Sequence, residues 1–417
     1  MIRNCLCYID PGTGSMLLTV ILSLVTSAVF LCRGLLIKLK VKLSGGEIED
    51  TGKVPYTIFS DHKRYWNVFE PICDEFERRE IPCVYLTGSE DDPVFSKEYK
   101  YVKAKFVGEG NKCFAALNTM RSYICLSTTP GLDVLQWKRS KNVDWYAHTY
   151  HALEDGLLYR MFALDFYDAI LATGDIHYPV IRELEKLRNM PEKEIVTVGS
   201  TYMDRLQAQA QHYERKKNDV TTVLLAPSWG DSGILNKKGE PFIESLIQTG
   251  YKIIIRPHPQ SKVSEKELLE RLQAKFPNSD MLEWNYDNDN FKVLSGADIL
   301  ISDFSGVMFD YTFIFDRPFI YTNDQFDPAP YEAAWVERKP WLLDVLPKLG
   351  RELKDEDLGH IKEVIDETMV SQAYKENREI CKNEAWQYRG KAAERTVDYM
   401  VRKYEELKNA ETKEGKK

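Results

Sequence analysis

Leu300-Ile-Ser-Asp-Phe-Ser-Gly-Val-Met-Phe-Asp310 is the stretch from which the fold of this chain is read. The apolar run Ala297-Asp298-Ile299-Leu300-Ile301 has the character of a buried strand, and a turn of small polar residues follows at Ser302, Asp303, Ser305 and Gly306. Val307-Met-Phe-Asp-Tyr311 then starts a helix. A strand, a small-residue turn and a helix in succession aim free backbone N–H groups and a helix dipole at an anion. Ser302 and Ser305 add hydroxyl donors, and Gly306 allows a phosphate to approach the backbone. Asp303 suits direct phosphate contact poorly and is expected to orient a histidine or hold a ribose. An ordinary helix N-cap is the structural alternative.

About 45 residues earlier, Arg256-Pro-His258-Pro-Gln260 follows the strand Ile253-Ile-Ile255. Arg256 offers a forked donor to a phosphate oxygen, and His258, framed by prolines, is placed to neutralise or protonate a departing phosphate. Two strand ends with this chemistry point to a nucleotide-diphosphate site. The bland alternative is a proline-locked connection with a satisfied histidine.

Outward from this stretch, short apolar strands alternate with amphipathic helices from residue 54 onward. In the first half, strands are expected at Pro55–Phe59, Cys83–Leu86, Tyr101–Val107, Tyr123–Ser127, Asp144–His148, Asp168–Ala172 and Ile195–Val198. In the second half they are expected at Thr222–Ala226, Ile253–Ile255, Met281–Leu282, Ile299–Ser302 and Phe319–Tyr321. Repeated strand–helix units produce parallel sheets covered on both faces. The polar run from 206 to 219 separates the two series. The expected organisation is α/β: a Rossmann-like domain over 54–205, a second over 220–345, C-terminal helices over 355–408 and a tail over 409–417. Ligands of such sheets bind at the carboxyl ends of strands, and the serine turn and the Arg256–Gln260 loop both fall there.

Composition sets the outer limits. The 417 residues exceed one ordinary domain, with 43% hydrophobic and 29% charged residues. The net charge of −8 speaks against a nucleic-acid binder. Eight dispersed cysteines without a CxxC pair fit a reducing compartment and no zinc site. Residues 1–43 differ from the rest. Pro11 to Cys32 carries no charge, and its core Met16–Phe30 lies within an expected helix of about 14–36. Such a run spans roughly 30 Å of hydrocarbon. Arg33, Lys38, Lys40 and Lys42 follow it, which places the body on the cytoplasmic side of a single-pass membrane anchor. A cleaved signal peptide is the competing reading. Residues 44–53 read as a linker.

Further chemistry sits at two more strand ends. In Ala147-His148-Thr-Tyr-His151-Ala-Leu-Glu-Asp-Gly156, a turn histidine can act as general base on a hydroxyl. His151 is favoured over His148 because small residues and an acidic pair follow it. The structural alternative is a pair of turn histidines. Ala226-Pro-Ser228-Trp229-Gly230 is placed to contact a base or phosphates across the cleft, or to be a turn with a partly buried Trp. No metal is required by these residues, and an Mg²⁺ ion is left open.

Arg256-Pro-His258-Pro, Ser302-Asp-Phe-Ser-Gly-Val-Met-Phe-Asp310, Arg317-Pro-Phe-Ile-Tyr321 and Ala226-Pro-Ser-Trp229 together resemble the CDP-glycerol glycerophosphotransferases, the teichoic-acid primase and polymerase type. The resemblance runs through roughly Tyr146 to Tyr321. It implies a GT-B fold, two Rossmann-like domains facing a cleft. It also implies a reaction in which an acceptor hydroxyl attacks the β-phosphate of a CDP-alcohol and CMP is released. His151 falls on the family's proposed base and His258 on its histidine at the donor pyrophosphate. Ser302 and Ser305 fall on its phosphate-binding serines. The implied partners are a CDP-alcohol donor, a lipid-linked or surface glycan acceptor and the membrane. Departures occur at Tyr150-His-Ala152 for Trp-His-Gly, at Gly306 for a second serine and at Gly230 for a frequent arginine. A nucleotide-sugar glycosyltransferase and a non-catalytic membrane scaffold are the competing functions.

Overall fold

The computed structural model describes residues 52–215, 219–287, 289–322 and 327–414. The expected membrane helix of 14–36 and almost all of the 44–53 linker lie outside them. Among the described residues, no helix is long and apolar enough to cross a membrane. The described residues from Lys53 onward belong to one compact unit.

Two wholly parallel sheets form its two lobes. The first contains β1 (Val54–Ser60), β2 (Cys83–Thr87), β3 (Val102–Phe106), β4 (Ser122–Ser127), β5 (Val143–Thr149), β6 (Ala169–Ala172) and β7 (Glu194–Thr197), in the order β3-β2-β1-β4-β5-β6-β7. The second contains β8 (Thr222–Leu225), β9 (Lys252–Ile255), β10 (Leu282–Trp284), β11 (Ile299–Ser302), β12 (Phe319–Tyr321) and β13 (Gly350–Glu352), in the order β10-β9-β8-β11-β12-β13. Strands covered on both faces read as continuous apolar runs, which is why Ile253–Ile255 and Ile299–Ile301 are recognisable and fully or nearly fully buried. The strand order reverses between β1 and β4 in one lobe and between β8 and β11 in the other. Loops that leave adjacent strands in opposite directions open a crevice at such points.

Two features differ from expectation. β13 has no apolar run, and it forms because Gly350 lies flat against the Phe319 ring, where an added Cβ would come within 2.6 Å. The expected tail of 409–417 is helical as far as 414, since the last helix runs Ala392–Glu414. This helix returns to the first lobe. Val397, Tyr399 and Met400 are buried in the core that contains Tyr56, Phe69 and Phe76, and the Trp145 indole donates to the Tyr399 hydroxyl at 2.9 Å. The returning chain passes very near the first lobe's turns. A Cβ on Gly174 would meet the Glu384 carbonyl oxygen at 2.1 Å, so only glycine fits there. Asp204 holds the crossing by accepting from the Trp386 indole at 2.9 Å and the Ala392 N–H at 3.0 Å.

A second crossing runs through residues 331–336. The Glu332 and Ala333 N–H groups donate to Tyr159 and Leu157 carbonyls, both at 2.9 Å. The Glu332 carboxylate is paired with Arg188, both side chains being buried.

Candidate active site

The turn after β11 is stitched from within. The Ser302 hydroxyl donates to the Ala226 carbonyl at 2.5 Å and is fully buried. Asp303 is also buried and accepts from the Ser228 N–H at 2.9 Å, the Ser228 hydroxyl at 2.6 Å, the Ile234 N–H at 3.0 Å and the Phe304 N–H at 2.8 Å. Burial raises the Asp303 pKa, against the effect of these bonds. Ser302, Asp303 and Ser228 therefore do not face a ligand as expected. They tie the loops after β8 and β11 to each other. Arg256 departs from expectation in the same way. It donates to Asn290 Oδ1 at 3.0 and 2.6 Å, to the Asp287 carbonyl at 2.6 Å and to Asn285 Oδ1. It shapes the loop after β10 instead of offering its fork to phosphate.

Four expected residues of this lobe remain at the crevice. His258 is half-buried, and its Nδ1 accepts from the Gln260 N–H at 3.1 Å. That bond leaves the proton of the neutral ring on Nε2, the tautomer that donates outward. The Trp229 ring lies 6.4 Å from the His258 ring. Ser305 is half-buried beside Gly306, which begins the helix Val307–Phe315 without a side-chain cap. The first N–H groups of that helix thus carry their partial positive charge toward the crevice.

In the other lobe the two histidines separate. His148 lies on β5, has no exposed surface and is surrounded edge-on by Tyr150, Tyr159 and Tyr167. It belongs to the core and contacts no crevice, so it cannot touch donor or acceptor. His151 lies beyond the strand and is half-buried. Its Nδ1 is 3.0 Å from the Thr128 hydroxyl and 3.5 Å from the Tyr159 hydroxyl. Its ring is stacked with Tyr159 at 5.9 Å and lies 4.9 Å from Tyr65.

The two corners meet. A Cβ built on Gly306 would lie 3.5 Å from the Ala152 methyl group, so the glycine turn abuts the His151 turn. Burial lowers the His151 pKa to about 4, with further lowering by the Arg64 and His258 charges. His258 is lowered to about 4 by burial and then by Arg64. Both rings are neutral at pH 7, and each is close enough to Arg64 to be acted on by it.

Arg64, Tyr65 and Thr128 are site residues that the linear sequence does not reveal. They follow β1 and β4, the two strands at the first lobe's reversal point. Strand order is the signal that finds them, and strand order is not written in the linear sequence. Among the described residues, no three His, Cys, Asp or Glu side chains are grouped to hold a metal ion.

Residues 148–402 match the model of the CDP-Glycerol:Poly(glycerophosphate) glycerophosphotransferase family. The chain belongs to this family. The matched segment includes His151, His258 and the Ser305–Gly306 turn, whereas Arg64, Tyr65 and Thr128 precede it. No curated protein sequence matches the chain significantly. Among solved structures, the chain is similar to a UDP-GlcNAc 2-epimerase of Methanocaldococcus jannaschii in complex with UDP-GlcNAc and UDP. The two share 15% identity and a TM-score of 0.55, covering 83% of this chain and 99% of that one. A putative UDP-N-acetylglucosamine 2-epimerase from Listeria monocytogenes aligns with 14% identity and a TM-score of 0.52, covering 85% and 98%. The Neisseria meningitidis UDP-GlcNAc 2-epimerase bound to UDP-GlcNAc aligns with 12% identity and a TM-score of 0.53, covering 83% and 99%. At these identities the likeness is one of fold, the two-lobed GT-B arrangement. The glycerophosphotransferase family itself makes the chain a transferase.

Proposed function

We propose that the protein transfers glycerol phosphate, or a related polyol phosphate, from a CDP-alcohol to a hydroxyl of a cell-surface polymer or lipid-linked glycan precursor. The observation that carries this reading is the meeting of two neutral histidines from opposite lobes at the open start of one helix. In the proposed reaction the acceptor oxygen attacks the β-phosphorus of the donor. A new P–O bond forms, the bond from that phosphorus to the bridging oxygen breaks, and CMP leaves. His151 Nε2 takes the acceptor proton, with Nδ1–H donating to Thr128. His258 Nε2–H donates to the pyrophosphate and assists CMP departure. Ser305, the N–H groups at Gly306 and Val307, and the Arg64 cation hold the pyrophosphate. Fixed donors around developing phosphate charge are the principal source of rate in such transfers. An anionic donor in the cleft would raise the proton affinity of both rings, which suits His151 to act as a base.

The apolar run Met16–Phe30 and the basic residues after it support an acceptor held at the cytoplasmic face of a membrane. Incubating the full chain with CDP-glycerol and with nucleotide sugars tests the reaction. CMP release from CDP-glycerol is the expected outcome. Nucleoside diphosphate release from a sugar donor alone would assign glycosyl transfer. Absence of nucleotide binding by calorimetry would leave only a scaffold.

A further inference from the structure

A column of four rings ends on His151. His177, the first residue of the helix His177–Arg188, stacks on Tyr150 at 3.9 Å, Tyr150 on Tyr159 at 5.8 Å and Tyr159 on His151 at 5.9 Å. His177, Tyr150 and Tyr159 are buried. His148 packs edge-on against Tyr150 and Tyr159 at 5.3 and 5.8 Å, which closes the column from the side. The planes of Tyr159 and His151 lie within 15° of each other. Only the last ring takes part in the proposed reaction.

The second lobe holds Tyr159 from behind. Its segment 331–336 forms an antiparallel bridge to Arg160 through Tyr331, and the Glu332 N–H donates to the Tyr159 carbonyl at 2.9 Å. The Glu332 carboxylate accepts from the Ala163 N–H at 3.0 Å. Between these bonds Phe162 takes a φ of 65°, a conformation costly for an aromatic residue. Its ring packs against Trp335 at 5.8 Å and the Arg188 guanidinium at 4.8 Å. Such backbone persists where the surroundings over-determine it. The loop that carries Tyr159 is thus fixed by contacts from both lobes.

We infer that Tyr159 is a positioning residue whose flat ring sets the plane of the His151 imidazole for proton transfer. This rests on the transferase reading, in which His151 Nε2 takes the acceptor proton. The lone pair of that nitrogen lies in the ring plane, and the last torsion of a histidine side chain is broad, so the plane needs an external support. The Thr128 hydroxyl, 3.0 Å from Nδ1, anchors one edge of the ring. The stacked Tyr159 ring fixes its tilt. The Tyr159 hydroxyl lies 3.5 Å from Nδ1, at the long limit of a hydrogen bond, so the ring and not the hydroxyl carries the effect.

A double-mutant cycle on the full chain in detergent tests this, read as CMP release from CDP-glycerol with a poly(glycerol phosphate) oligomer as acceptor. Tyr159→Leu should lower kcat about 10²-fold, the cost of a misplacement near 1 Å, with KM for CDP-glycerol unchanged. Tyr159→Phe keeps the ring and should stay within about threefold of wild type. In the His151→Ala background, Tyr159→Leu should have no further effect on the residual turnover, because it acts through the missing imidazole. Where Tyr159→Leu does not fold, Tyr159→Met, which fills the same volume with a flexible chain, takes its place in the cycle. An equal loss in both backgrounds, as a merely structural role requires, would overturn the proposal. So would a Tyr159→Phe as impaired as Tyr159→Leu, or a change confined to KM. Should the wild type turn over UDP-GlcNAc and not CDP-glycerol, the donor reading alone fails, and the same cycle run with that donor still decides the role of Tyr159.

Discussion

Ser302 and Ser305 are three residues apart, as are His148 and His151, and the two lobes treat each pair alike. The first member of each pair lies on a strand and is sealed: Ser302 against the Ala226 carbonyl, His148 within a cage of tyrosines. The second member lies past the strand and is half-buried at the crevice. Arg256 and His258, two residues apart and both half-buried, differ in bonding alone: the guanidinium is taken up by the loop after β10, whereas the imidazole accepts only a local N–H. At the end of a parallel strand, side chains still alternate into covered faces. The outer member of each pair lies where the chain has left the ladder. The inner residue of each corner gives the loop its shape, and in the proposed reaction the outer one carries the chemistry.

The comparison breaks first at the histidines. His258→Ala and His151→Ala should each lower turnover about 10²–10⁴-fold, the range typical of a positioned proton-transfer group. Their thermal midpoints should stay close to wild type. Steady-state CMP release beside calorimetry measures both, and full activity in either variant would remove that residue from the mechanism.

Asp303→Ala should do the reverse. It strips the acceptor from Ser228, Ile234 and Phe304 together, which should cost about 3 kcal/mol or more of stability. Denaturant unfolding reads this loss, and a midpoint equal to wild type would contradict the internal role of the turn.

The serines sharpen the same contrast. Ser305→Ala should weaken donor binding by about 1.5–3 kcal/mol, the value of a hydrogen bond to a charged group, at unchanged stability. Ser302→Ala should instead lower stability by about 1–3 kcal/mol by leaving the buried Ala226 carbonyl unpaired, with donor affinity retained. Equal donor titrations for the two variants would erase the distinction between them.

The smallest effect is in the pH dependence of stability. His151 and His258 have folded pKa values of about 4 against an ordinary 6.5, and buried His177 is lowered to about 3. Between those values the unfolded chain binds more protons than the folded one. Stability contributed by the neutral rings is therefore complete above pH 6.5 and declines as pH falls toward 4. Melting curves across this window should show the slope, and His258→Gln should flatten it. A slope unchanged by that substitution would mean that the ring is freely protonated in the fold.

Much of this was legible in the linear sequence. Ile253–Ile255 and Ile299–Ile301 read as strands because burial on both faces requires unbroken apolar runs. The position of His151, His258, Trp229 and the Ser305–Gly306 turn at strand ends was legible, because strand ends in such folds border the crevice. Local pattern sufficed for the strand–helix alternation, and strand-end chemistry for choosing the two histidines as candidates. Tertiary structure alone decided which of the remaining polar residues are inside. Ser302, Asp303, Ser228 and Arg256 have the residue types of a phosphate site, and only their bonding partners assign them to loop construction. It alone also brought Arg64, Tyr65 and Thr128 to His151, and returned the helix Ala392–Glu414 to the first sheet. The reason is physical: residue type limits what a side chain can bond to, while strand order and crossing chains determine which partner reaches it first.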